Sequence, residues 1–112
     1  MSVIGNAITL GAGSSGAVKV MTQGQVSTTS AYTGTNFDNS ISDYDFVEVH
    51  LFRGGADIAY NVVKVPASST TFNITGDRTY SMSLTPTRIS CTNYSGSFVN
   101  LYVDVYAYHK AG

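Results

Sequence analysis

A chain of 112 residues has room for one hydrophobic core, and only 12% of it is Asp, Glu, Lys or Arg, about half the usual share. A net charge of −1, with six basic residues spread from Lys19 to Lys110, excludes an electrostatic footprint for nucleic acid. Aromatic residues at 12% exclude the composition of a disordered chain.

Residues 1–16 read as an N-terminal docking arm. Val3-Ile4 and Ile8-Thr9-Leu10 are short apolar patches separated by glycine, and Gly11 to Gly16 is a Gly/Ser hinge. Ile4, Ile8 and Leu10 gain little from water, so they are the candidates for docking onto a neighbouring subunit; a frayed chain end is the other reading.

Residues 17–112 read as a single β-sandwich domain. Ala17 to Met21 is a first short strand, with Val18 and Val20 opposite Lys19 and Met21, and Gln25 to Tyr32 a second, at an edge. Thr33 to Asp43 is a polar loop anchored by Phe37 and Ile41. Tyr44 to Arg53 alternates strongly, with Val47, Val49 and Leu51 on one face and Phe46, Glu48, His50 and Phe52 on the other. Gly54 to Asp57 turns the chain back into a strand over Ile58 to Val65, which Pro66 ends by removing a ladder donor.

Thr70 to Thr75 follows, with Phe72 and Ile74 in step. Thr79 to Thr85 then sends Tyr80, Met82 and Leu84 inward and Ser81 and Ser83 outward. Beyond Pro86, Arg88 to Asn93 carries Ile89 and Cys91 on its inner face. Residues 98 to 108 close the chain, with Val99, Leu101, Val103, Val105 and Ala107 on the core side. Asn100, Tyr102, Asp104, Tyr106 and Tyr108 lie on the other. No segment keeps a helical period for two turns. Seven to eight short strands punctuated by Gly, Pro, Asn and Asp predict an all-β fold, an antiparallel β-sandwich of jelly-roll-like kind.

The chemistry-bearing residues are few. His50 and Glu48 share a face, but a metal site recruits three or more ligands and no His or Cys cluster accompanies them. Asp38, Asn39, Ser40 and Asp43 lack the spacing of a helix–loop–helix calcium site, and turn chemistry explains them as well. Glycines 11 to 16 lack the lysine of a phosphate loop, and no serine sits in a nucleophile elbow. A carboxylate pair such as Glu48 and Asp104 carries no signal of its own. No catalytic residue, metal or cofactor is therefore expected, and the chain reads as not an enzyme.

Cys91, the one cysteine, reads as a buried structural thiol. Asn73-Ile74-Thr75 and Asn93-Tyr94-Ser95 match the glycosylation pattern, but the opening lacks the basic and apolar regions of a secretory signal. No run approaches the roughly 20 apolar residues of a membrane helix, so membrane insertion is not expected. Tyr102, Tyr106 and Tyr108 on one strand face are the candidates for subunit or ligand contact, because tyrosine joins a flat apolar body to a polar tip.

The opening Ser2-Val3-Ile4-Gly5-Asn6-Ala7-Ile8-Thr9-Leu10-Gly11 resembles the start of small structural proteins of tailed bacteriophages and prophages. The strand Asp43 to Val49 and the closing Tyr102 to Tyr108 are similar to minor structural or tail-fibre-type proteins of that kind. The resemblance covers about a third of the chain, and its implication is a virion component assembled in the bacterial host cytoplasm. It further implies a homo-oligomer, with a trimer favoured, that meets other virion proteins. Being a single short domain, the chain departs from longer fibre proteins, which leaves capsid decoration open beside a tail or baseplate place. Presentation of loops to a host-surface glycan fits the same reading. The alternative, from a different class, is a carbohydrate-binding module that stacks sugars on the tyrosine face.

Overall fold

The computed structural model describes residues 17–54, 61–76 and 78–109, and every regular element among them is a β-strand. Two four-stranded antiparallel sheets face one another. The first runs in the order β1 (Val18–Ser27), β8 (Leu101–Tyr108), β3 (Phe46–Arg53) and β4 (Asn61–Pro66). The second runs β2 (Gly34–Asn36), β7 (Arg88–Asn93), β6 (Thr79–Thr85) and β5 (Thr71–Thr75). The pairings β1 with β8 and β2 with β7 join the two ends of the chain, while β3–β4 and β5–β6 are plain hairpin neighbours. This is the expected antiparallel sandwich. The arm residues Ile4, Ile8 and Leu10 lie outside the described residues.

The core follows from period-two alternation. Val47, Val49 and Leu51 of β3 and Leu101, Val103, Val105 and Ala107 of β8 are fully buried, and they stand in register on one sheet face. Ile74, Tyr80, Met82, Leu84, Ile89 and Cys91 close over them from the second sheet. A sheet with one apolar face needs such a cover, at about 25 cal/mol for each Å² taken from water. Phe37 and Ile41 are buried, as expected of loop anchors. The free edge at β4 is blunted by exposed Lys64 and by Pro66.

Three expectations need correction. The two strands read at Ala17–Met21 and Gln25–Tyr32 are one, β1, whose register against β8 slips between Lys19 and Met21 and again between Met21 and Gly24. An inserted residue reverses which side chains face the core, so Val20 and Met21 are both buried while Val18 is 41% exposed. The segment 33–43 is not wholly loop, since Gly34–Asn36 pairs with β7. Finally, residues 98–100 precede the last strand and do not belong to it.

The slip in β1 has identifiable causes. Gln23 takes a φ of 47°, in the left-handed region. At Gly24 the strand passes so near β2 that an added Cβ would sit 2.5 Å from Thr35 Cγ2, leaving space only for glycine.

Candidate functional site

The outer face of the β1-β8-β3-β4 sheet gathers the three tyrosines into an aromatic surface. Antiparallel register sets Phe46 opposite Tyr108, Glu48 opposite Tyr106, His50 opposite Asp104 and Phe52 opposite Tyr102. Lys19 stands opposite Tyr106 on the β1 side, and Lys64 stands opposite Glu48 on the β4 side. The rings are half-buried, flush with the sheet, whereas Val62 at the edge is 54% exposed.

Each charge on this face has a partner within the chain. Glu48 Oε1 lies 2.8 Å from His50 Nε2, an arrangement in which the imidazole N–H donates to the carboxylate. The His50 ring in turn leans on Tyr106, with centroids 5.0 Å apart. Lys19 Nζ sits 3.3 Å from Asp104 Oδ2 and 5.4 Å from the Tyr106 ring centre. Lys64 Nζ lies 4.8 Å from the ring centre of Tyr108 and 5.2 Å from that of Phe46. A cation held over an aromatic face gains from the ring quadrupole. Two cations thus stand against two carboxylates, and the face is close to neutral.

Tyr108 is the strongly perturbed group here. Burial, the negative charge of Glu48 and the hydrogen bond its hydroxyl donates to Glu48 together push its pKa up to about 12. These causes, with a contribution from neighbouring Tyr106, all favour the neutral phenol. Asp104, read on the tyrosine-bearing face of the last strand, is 9% exposed. Its Oδ1 accepts the Gln23 backbone N–H at 2.7 Å, so it closes the bulge in β1.

The other sequence candidates are not brought together. Among the described residues no three His, Cys, Asp or Glu side chains converge as metal ligands. Ser40 Oγ donates to Ser42 Oγ at 2.9 Å and accepts the Ser42 N–H at 3.1 Å, a local turn, while the Asp38 and Ile41 N–H groups donate to the carbonyls of Val20 and Pro86. Burial of Cys91 raises its thiol pKa above the usual value, opposite to what a nucleophile needs.

A second aromatic group escaped the sequence reading. Tyr32, Tyr94 and Phe98 meet edge to face, with Tyr32 centred 5.2 Å from Tyr94 and 4.9 Å from Phe98. Tyr94, the residue after the end of β7, is buried. Its hydroxyl lies 2.6 Å from Ser27 Oγ and accepts the Val99 N–H at 3.0 Å. Arg78 covers Tyr94, its guanidinium carbon 5.3 Å from the ring centre, and donates to the carbonyls of Ser95 and Ser97. The one local signal was Ser95-Gly96-Ser97 ahead of Phe98, a turn that holds an aromatic residue off the strand; Gly96 has a φ of 86°. Beside Phe98 lies an open cleft of about 320 Å³, bordered by Thr29, Arg53, Gly54, Val99 and Asn100.

Comparison of the chain with known protein families, with curated proteins and with solved structures finds no match among any of them.

Proposed function

We propose that this chain is a non-enzymatic structural protein of a bacteriophage virion, joining copies of itself through the outer face of the β1-β8-β3-β4 sheet. One observation carries the assembly reading: that face is rich in tyrosine and phenylalanine, and its charges already have partners inside the chain. Interface cores favour aromatic residues, and covering such a face with a second copy strands no new unpaired charge. The resemblance of residues 2–11, 43–49 and 102–108 to small phage structural proteins supports the virion setting and a trimer. Closed symmetry would use the same patch on every copy. On this reading Ile4, Ile8 and Leu10 dock onto neighbouring virion proteins, and the loops at the sandwich ends face the host.

A sugar-stacking role for the tyrosine face has weaker support. Tyr106 carries Lys19 and Tyr108 carries Lys64, so these rings are engaged within the chain.

Light scattering on the purified full chain tests the proposal. A trimer or other closed oligomer is expected, and Tyr106→Asp, which adds a charge to the face, converts it to monomer without unfolding. A wild-type monomer at high concentration overturns the shared-face reading. Serine at Ile4, Ile8 and Leu10 together is expected to abolish incorporation into phage particles, and normal incorporation removes the docking role of the arm.

A further inference from the structure

We infer that the cleft beside Phe98 is a binding site for a neutral pyranose saccharide, separate from the tyrosine face. A pyranose offers one apolar C–H face and a rim of hydroxyls, and it needs an accessible aromatic ring next to fixed polar groups. Phe98 supplies the ring. It is 38% exposed, one of three large apolar side chains so placed among the described residues, yet its position is set from beneath by Tyr32 and Tyr94. Arg78 pins the turn that presents it, through the carbonyls of Ser95 and Ser97. A ring held in this way loses little freedom when a ligand stacks on it.

The polar rim is also organised. Asn100 Oδ1 accepts from Gln25 Nε2 at 3.3 Å, which orients the amide and leaves its N–H₂ as a donor. The Asn100 carbonyl accepts the Gly54 N–H at 2.9 Å, tying the 98–100 segment to the end of β3. Thr29 and Arg53 complete the border, and none of the lining residues is acidic; the Arg53 guanidinium donates to the Tyr80 hydroxyl at 3.4 Å. The Asn100 amide and the polar residues Thr29 and Arg53 around one exposed ring suit a ligand with a polar edge and a single apolar face. They suit a wholly apolar ligand poorly, because polar groups left unpaired on binding oppose it. The volume of about 320 Å³ lies at the small end of ligand sites, the scale of one or two sugar rings.

The test is chemical-shift mapping on the isotope-labelled full chain, titrated with a panel of methyl pyranosides and short neutral oligosaccharides. At least one saccharide is expected to shift the amides of Thr29, Phe98, Val99 and Asn100. Phe98→Ala is expected to weaken that binding about tenfold, while circular dichroism and oligomeric mass stay unchanged. Asn100→Ala weakens it as well, and Tyr106→Ala leaves it intact. The proposal falls if no saccharide shifts these amides at millimolar concentration, or if Phe98→Ala binds as well as wild type. It falls too if the shifts cluster on Tyr102, Tyr106 and Tyr108, which returns sugar binding to the sheet face. A monomeric mass bears on the assembly reading alone and leaves this result unaffected.

Discussion

The carboxylate of Asp104, on the central strand β8, accepts the backbone N–H of Gln23 at 2.7 Å, at the point where β1 slips out of register. A bulge leaves a strand donor without its ladder partner, and here a side chain from the neighbouring strand supplies the acceptor. Lys19 then holds the carboxylate from the other side, 3.3 Å away. A residue that reads in sequence as a surface acid is therefore part of the backbone accounting of the sheet.

Asp104→Ala leaves that N–H unsatisfied and is expected to destabilise the fold by about 2 kcal/mol. Asp104→Asn keeps an oxygen acceptor and recovers most of the loss. Urea denaturation of both variants measures the difference, and equal losses would show that the Gln23 bond contributes nothing.

Gly24→Ala is expected to destabilise by about 1–3 kcal/mol, because the new methyl meets Thr35 and Met21 where β1 crosses β2. Pairing it with Thr35→Ser removes the obstructing Thr35 methyl, leaving the Met21 thioether, and should return part of the stability in a thermal melt. The absence of any rescue would place the strain elsewhere.

Tyr94→Phe keeps the ring in the aromatic cluster but removes the oxygen that pairs with Ser27 and takes the Val99 N–H. A loss of about 1–3 kcal/mol is expected, since both partners are left in a buried or partly buried setting. Faster hydrogen exchange at the Val99 amide gives the local readout.

Tyr108 sets a testable alkaline limit. Its pKa in the fold, about 12, stands above the ordinary phenol value of 10, so the unfolded chain releases this proton first. The stabilisation is complete below pH 10 and disappears as pH rises towards 12. Stability against urea is expected to fall across that window, and to fall less in Tyr108→Phe. Glu48→Gln removes the neighbouring charge and should lower the phenol pKa, read from phenolate absorbance.

Cys91 should resist thiol reagents in the folded protein and react once the chain is unfolded, because burial both covers the sulfur and disfavours the thiolate. Rapid labelling under native conditions would show that β7 opens readily.

What the sequence by itself determined was sidedness. Val47, Val49 and Leu51, like Val103, Val105 and Ala107, recur every second residue, and an extended backbone sends such residues to one face wherever it lies. An aromatic outer surface follows from that local rule, so strands β3, β5, β6, β7 and the whole of β8 were legible along with Tyr102, Tyr106 and Tyr108. Tertiary structure alone decided whatever depends on residues distant in sequence. Tyr32 and Tyr94 meet across 62 residues, and Gln23 and Asp104 across 81. Neither contact leaves a local signature, because a bulge or a cluster is set by the register of strands that must first find one another. The burial of Asp104, the single bulged strand β1 and the cleft at Phe98 all belong to that second kind.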